Sequence, residues 1–518
     1  MLASKDLNDR YRVERGAAYL SGIQALVKLM LLQRQRDHLQ GLSTAGFVSG
    51  YRGSPLGGLD QQFWRAKPFL ERAAIHFQPG VNEDLAATAV WGTQQVGLFP
   101  GAKQDGVFSL WYGKGPGLDR SGDVIKHGNA AGTARNGGVV LAVGDDHAAK
   151  SSTLAHQCEY SLMDAMVPVL NPAGVQDVLD FGLFGFALSR FSGCWVGLKM
   201  ISETADSSAS VDIDPSRISV VNPQIEMPAG GLNIRWPDAP LEQEYRLQRH
   251  KIYAALAFAQ HNRLDRVVLD APDARFGIVT TGKAYGDVRQ ALDDLGLDDD
   301  QLQQLGVRIY KVGMSWPLEP EGVQRFADGL TEIVVVEEKR AVVENQIREQ
   351  LYNWKAARRP RIVGKFDENR EWLLPANGEL TPAQVAQVLA ARLGPYVTDA
   401  AHRRRLQERI GFLRDKHGFL ADLDPGLERV PYFCAGCPHN TSTRVPEGSR
   451  ATAGIGCHYM ANWMDRDTAT FTQMGGEGVS WIGQAPFTET NHIFQNLGDG
   501  TYYHSGSLAI RAALAAGI

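Results

Sequence analysis

Three short runs in the first half of the chain are apolar at consecutive rather than alternating positions: Thr44-Ala45-Gly46-Phe47-Val48-Ser49, Val139-Val140-Leu141-Ala142-Val143 and Cys194-Trp195-Val196-Gly197-Leu198-Lys199-Met200. A strand of that kind leaves no face for water, so both faces must be covered, and a parallel sheet flanked by helices is the usual way to do so. Glycine-rich turns and helix-like stretches separate the runs. The repeated change of period is an α/β rhythm, and it predicts doubly wound parallel sheets over about the first 265 residues.

A second unit is predicted to begin near Pro272. Phe276 to Lys283 reads as strand then turn, and Ala284 to Leu292 as helix. Further strands are expected at Val307 to Val312 and at Glu332 to Val336, with an amphipathic helix from Ala341 to Trp354. Thr381, Pro382 and Gly394 supply an N-cap, a first-turn proline and a terminal glycine for one more helix. From Tyr396 to Val430 the composition turns to charge, including Arg403-Arg404-Arg405 and a Pro425-Gly426 break, and is read as a helical connector. The expected boundaries are therefore 1–268, 269–395, 396–430 and 431–518.

With 518 residues, 44% of them hydrophobic, there is material for roughly three to four domains. A net charge of −5 provides no general attraction to nucleic acid or anionic membrane, so small molecules or proteins are the expected partners. No apolar run approaches the roughly 18 residues that span a bilayer, and the first residues show no leader-like apolar region. The expectation is a cytoplasmic protein.

Five cysteines are too few for a disulfide scaffold, yet Cys434, Cys437 and Cys457 fall close together. Cys434-Ala435-Gly436-Cys437-Pro438-His439 puts two thiolates on one turn, and Gly456-Cys457-His458 adds a third. That spacing suits an iron–sulfur cluster or a Cys₃His zinc site completed by His439 or His458.

Gly498-Asp499-Gly500 ends an apolar stretch near Ile518. In thiamine enzymes such a triplet opens a segment whose Asp and closing Asn ligate the Mg²⁺ that carries the diphosphate. Mg²⁺ requires near-octahedral oxygen ligation, which Asp499 can begin, and the flanking glycines let the backbone approach phosphates. A helix over Ser507 to Leu514 is expected to aim its N-terminus at them. Two further loops invite attention: Tyr51-Arg52-Gly53-Ser54-Pro55-Leu56-Gly57-Gly58 follows the first apolar strand, where doubly wound sheets place ligands, and Asn82-Glu83-Asp84 opens a helix. Taken alone, Glu83 would be a first-turn acid complementing the helix dipole. Gly113-Lys114-Gly115-Pro116-Gly117 and Asp145-Asp146-His147 read as ordinary turns.

Together these segments resemble the indolepyruvate:ferredoxin oxidoreductases of the thiamine-dependent 2-oxoacid:ferredoxin oxidoreductase superfamily. The resemblance rests on Tyr51-Arg52-Gly53-Ser54-Pro55 (family pattern Y-P-G-T-P) and Val81-Asn82-Glu83 (V-N-E), then on Cys434-Ala435-Gly436-Cys437-Pro438-His439 (C-x-G-C-P-H), Gly454-Ile455-Gly456-Cys457 and Gly498-Asp499-Gly500-Thr501-Tyr502-Tyr503-His504-Ser505-Gly506, all in the family's order. Arg52 stands where the family has proline, and Leu56-Gly57-Gly58 resembles the long fused bacterial form.

The resemblance implies α/β domains of transketolase-like, thiamine-diphosphate-binding type. Residues 1–268 would be the pyrimidine-binding domain, 269–395 a transketolase C-terminal-like domain, and 431–518 the start of the diphosphate-binding domain. Glu83 and Ser54 would be catalytic. Tyr51, Gly53, Gly498, Asp499, Gly500, Thr501 and His504 would bind cofactor, with Asp499 on Mg²⁺. Cys434, Cys437 and Cys457 would hold a [4Fe–4S] cluster, the fourth cysteine and the Mg²⁺-binding Asn lying beyond Ile518. The implied reaction is oxidative decarboxylation of an aryl pyruvate with coenzyme A, electrons passing to ferredoxin, in a homodimer or larger complex. The alternatives are a non-oxidative thiamine-dependent decarboxylase and a non-catalytic subunit that completes its site with another chain.

Overall fold

The structure is a computed structural model that describes residues 6–150, 152–421 and 431–518, the side chains of 401, 402 and 417–421 excepted. It divides into two compact units, Met1–His417 and Gly418–Ile518. The strands in chain order are β1 (Gly16–Ser21), β2 (Ala45–Gly50), β3 (Ile75–Phe77), β4 (Val107–Lys114), β5 (Val139–Asp145), β6 (Val169–Leu170), β7 (Val196–Ile201), β8 (Ser208–Ile213), β9 (Arg266–Leu269), β10 (Phe276–Thr281), β11 (Val307–Val312), β12 (Met314–Trp316), β13 (Glu332–Val336), β14 (Arg361–Val363), β15 (Ala451–Ala453), β16 (Thr468–Phe471) and β17 (Phe494–Gln495).

The first unit holds a seven-stranded sheet, order β12-β6-β7-β5-β4-β2-β3, parallel apart from β12. All seven residues of β5 and all six of β7 are buried, as their unbroken apolar sequences require. Helices Gly22–Leu39 and Val175–Ser192 pack on one face, where a Cβ at Gly182 would stand only 2.3 Å from Leu29 Cδ2. Fully buried Trp111 and Trp195 fill the other face, beneath helix Glu83–Gln94.

A five-stranded sheet, order β14-β13-β10-β11-β9, follows in the same unit. The predicted strands β11 and β13 occur at the expected residues. Helix Pro382–Leu393 carries a full capping box between Thr381 and Gln384, worth about 1 kcal/mol. Gly394 differs from the expected left-handed stop: its φ is −47°, and the chain continues into a turn of 3₁₀ helix. Three antiparallel pairings also depart from the parallel expectation, namely β1 with β8, β9 with β11 and β12 with β6. These strands are short or lie at edges, where the consecutive-apolar signal of a doubly covered strand is lost. The expected connector contains helix Ala400–Ala421, and its Pro425-Gly426 break lies outside the described residues.

The second unit holds a three-stranded parallel sheet, order β16-β15-β17. The helix expected from Ser507 begins earlier: backbone helical turns run without a break from Asp499 through a π turn at Tyr502–Gly506 to Ala515. Gly498 is therefore the N-cap, and Asp499 the first helical residue.

Candidate functional site

In each unit the candidate residues gather at one topological place. Strand β2 is followed by β3 on one side and has β4 on the other, so the loops leaving β2 and β4 diverge and open a crevice at the carboxyl ends of the strands. Open α/β sheets bind ligands at such switch points. The second unit repeats the arrangement, because β15 has β16 on one side and β17 on the other.

At the first crevice, Tyr51 N donates to Tyr112 O at 3.1 Å, and Leu56 N closes a tight turn onto Gly53 O at 2.7 Å. Ser54 precedes a cis peptide bond to the buried Pro55, and its side chain is half-buried beside an exposed Arg52. Gly53 lies over the stem of Lys114, where a Cβ would stand 3.1 Å from Lys114 Cβ.

Glu83 is the first residue of its helix and only 6% exposed. Asn82 caps that helix by accepting from Leu85 N at 3.1 Å, and Trp111 Nε1 donates to the Glu83 carbonyl at 3.0 Å. The backbone is thus fixed from both sides. The side chain lies against two glycines, Gly113 near the end of β4 and Gly117 in the short helix Gly115–Arg120 that follows: a Cβ on Gly117 would stand 2.4 Å from Glu83 Oε1, and one on Gly113 would stand 3.3 Å from Glu83 Cγ. Burial lowers the Lys114 pKa, and the neighbouring charges of Asp146 and Glu83 oppose that shift. Lys114 therefore places a cation near the Glu83 carboxylate.

The turn at Asp145-Asp146-His147, read from sequence as an ordinary loop, belongs to a buried charge network. Asp145 accepts from Cys158 N at 2.9 Å, pairs with His156 at 2.8 Å and lies 3.2 Å from Lys199 Nζ. Lys199 also meets Glu159 at 2.7 Å, and His156 reaches Asp119 at 2.9 Å. Burial alone would lower the His156 pKa; the hydrogen bonds to Asp119 and Asp145 outweigh it and raise the value to about 9. Asp145, Cys158 and Glu159 bring three metal-capable atoms together, but the Lys199 ammonium already supplies the cation there. The ring of His156 also backs the turn after β4, since a Cβ on Gly115 would stand 2.2 Å from its Nδ1. Sequence reasoning missed His156 and Lys199, because pairing across strands leaves no local signature.

At the second crevice three loops converge. Thr501 Oγ1 donates to Ile455 O at 2.7 Å, tying the helix after β17 to the loop after β15. Glu477, from the unremarked Gly475-Gly476-Glu477-Gly478 segment, accepts from Gly475 N at 2.6 Å and Ile455 N at 3.3 Å. Burial raises its pKa. Asp499 is exposed at the helix start, while His504 is buried and bonds Ser505 Oγ at 2.6 Å. Nδ1 of His458 lies 3.6 Å from where a Cβ on Gly498 would be, and His439 Nε2 lies 3.9 Å from that point. Burial, reinforced by His439, pushes the His458 pKa down to about 4. Cys434 and Cys457 are exposed and Cys437 partly so, whereas Cys158 and Cys194 are buried. Asn440 Nδ2 and Cys437 N both donate to Cys434 O at 3.0 Å, which shapes the two-cysteine turn.

A family profile described as the indolepyruvate ferredoxin oxidoreductase middle domain matches residues 265–422. Indolepyruvate oxidoreductase subunit IorA of Thermococcus kodakarensis is 25% identical over 488 residues, covering 86% of this chain and 66% of the relative. The chain is similar to the indolepyruvate oxidoreductases in its middle region and, at low identity, over most of its length. Subunit IorA of Methanothermobacter thermautotrophicus is 24% identical, covering 90% of this chain and 69% of the relative. The chain spans about two thirds of the length of these curated relatives.

The solved 2-oxoglutarate:ferredoxin oxidoreductase from Magnetococcus marinus superposes with a TM-score of 0.51 at 15% identity, over 73% of this chain and 66% of that one. Among the described residues no helix is long and apolar enough to cross a membrane.

Proposed function

We propose that this chain carries the thiamine diphosphate chemistry of a 2-oxoacid:ferredoxin oxidoreductase that acts on an aryl pyruvate such as indolepyruvate. The products are carbon dioxide and an aryl-acetyl-coenzyme A, with electrons passing to ferredoxin. The observation that carries this reading is Glu83, a carboxylate 6% exposed at a topological switch point, with its side chain seated against Gly117 and Gly113. A buried acid in a ligand crevice is a candidate for proton work.

The residues of both crevices fit the cofactor's chemistry. Thiamine diphosphate, when bound, supplies the electron sink for decarboxylation. Glu83 would hold a proton at N1′ of the aminopyrimidine, with Tyr51 and Gly53 beside that ring and Ser54 on the substrate side. The bare backbone of Gly498 and Gly500 would admit the diphosphate, and Asp499 would give Mg²⁺ one of its oxygen ligands. Thr501 and His504 belong to the same helix start, Thr501 fixing it to the loop after β15.

Cys434, Cys437 and Cys457 would hold a [4Fe–4S] cluster. The exposed position of Cys434 and Cys457 supports electron exit to an external carrier. The assigned domain roles are pyrimidine binding for 1–268 and diphosphate binding from 431 onward. The relatives' names describe subunits, which supports assembly with a second kind of chain.

The test uses anaerobically prepared protein with any copurifying subunit, supplied with thiamine diphosphate, Mg²⁺, coenzyme A and indolepyruvate. Reduction of ferredoxin in step with carbon dioxide release is expected. Stoichiometric zinc without iron, or carbon dioxide release with no ferredoxin reduction, would overturn the reading.

A further inference from the structure

Glu83 leans on a helix that its own sequence supports poorly. Gly115–Arg120 is six residues long, two of them glycine, and Lys114 gives it no side-chain N-cap. Glycine is the weakest helix former after proline, and a helix this short does not hold by itself in water. The glycines are explained by close approaches on two sides: a Cβ on Gly117 would stand 2.4 Å from Glu83 Oε1, and one on Gly115 would stand 2.2 Å from His156 Nδ1. Residues two apart on a helix point about 200° apart. The Glu83 carboxylate and the His156 ring therefore press on nearly opposite faces of the same helix.

His156 also ties that helix to the sheet. Its Nδ1 meets Asp145 Oδ1 at 2.8 Å at the end of β5, and its Nε2 meets Asp119 Oδ2 at 2.9 Å on the helix. A neutral imidazole has one N–H, so donation to two carboxylates takes the imidazolium. The Asp145 side chain is 0% exposed and lies 3.2 Å from Lys199 Nζ, which gives the link a fixed base. Asp119 Oδ1 accepts in addition from Ser161 Oγ at 2.8 Å. We propose that His156 is a positioning residue for Glu83, holding the Gly115–Arg120 helix through Asp119 so that Gly117 forms the wall against which the carboxylate is set. This rests on the thiamine reading for what Glu83 does, not for how it is held.

The Asp119 side chain is 52% exposed, so Asp119→Ala cuts the link at the surface and leaves His156 paired with Asp145. Asp119→Asn keeps an oxygen that accepts from Nε2, and His156→Gln removes the ring. In anaerobically prepared protein with any copurifying subunit, Asp119→Ala and His156→Gln should each lower kcat for indolepyruvate at least about tenfold, since misplacement by about 1 Å can cost about a hundredfold. KM and the affinity for thiamine diphosphate should stay within about threefold of the wild type. Asp119→Asn should recover kcat to within about threefold, and combining Asp119→Ala with His156→Gln should cost no more than about twofold beyond the worse single variant, because both cut one link. Carbodiimide labelling of carboxylates, read by mass spectrometry, needs no cofactor: in Asp119→Ala the nearly buried Glu83 should label at least about fivefold faster.

Wild-type kcat per folded molecule in Asp119→Ala would overturn the proposal, as would failure of Asp119→Asn to recover activity or fully additive losses in the double variant. A lower melting temperature with unchanged labelling of Glu83 would make His156 a structural residue only, which overturns it too. If His156→Gln does not fold, the two Asp119 variants decide. Faster labelling of Glu83 in Asp119→Ala, in a protein whose wild type shows no turnover with thiamine diphosphate, would support the positioning and sink the thiamine reading.

Discussion

Gly117 and Glu83 share one space: a Cβ on Gly117 would stand 2.4 Å from Oε1 of Glu83, closer than real contacts allow. Glycine at position 117 is thus a condition for the carboxylate lying where it does. Gly117→Ala should lower stability by about 1–3 kcal/mol through overpacking. Turnover should fall further than the folded fraction explains, because the carboxylate is pushed aside. Urea unfolding together with steady-state rates would check this.

Glu83→Gln is nearly isosteric, and the backbone contacts to Leu85 N, through Asn82, and to Trp111 do not involve the carboxylate. The melting temperature and the affinity for thiamine diphosphate should therefore change little. Turnover should drop by about 10²–10⁴, the usual worth of a positioned acid or base. A parallel loss of affinity and stability would mean that Glu83 is a structural acid only.

His156 makes folding stability depend on pH in a defined direction. Its pKa rises from an ordinary 6.5 to about 9 in the folded protein. The contribution is complete below about pH 6.5 and is lost as pH rises through about 9; the gap is worth at most about 3 kcal/mol. His156→Gln should flatten the alkaline limb of the stability profile, measured by denaturant midpoints from pH 6 to 10. An unchanged limb would show that Asp119 and Asp145 do not hold the ring charged.

Serine at position 434, 437 or 457 should each reduce iron bound under anaerobic reconstitution. Serine at 158 or 194 should leave it unchanged, since those thiols are buried in the first unit. Iron and acid-labile sulfide analysis separates the two groups.

Much of this arrangement was legible in the sequence where the signal is local. Consecutive apolar residues located β5 and β7, and exact turn chemistry located the Thr381 cap and the helix opened by Asn82. Gly498-Asp499-Gly500 was visible as a ligand turn ahead of a helix, but the helix expected from Ser507 starts eight residues earlier, at Asp499. What sequence did not reveal depends on pairing at a distance. β12 leaves the neighbourhood of β11 to pair with β6, and His156 acquires meaning only from Asp119 and Asp145. His458 reads as a neighbour of Cys457 until Gly498 is folded against it.

If Glu83 makes the first crevice a thiamine site, proton exchange at C2 of thiamine diphosphate depends on it. In D₂O, with Mg²⁺ and any copurifying subunit present, the wild-type protein should accelerate loss of that proton by at least about a hundredfold over the free cofactor, and Glu83→Gln should abolish most of the acceleration. Exchange no faster on the wild-type protein than in free solution would mean that Glu83 does not serve thiamine diphosphate.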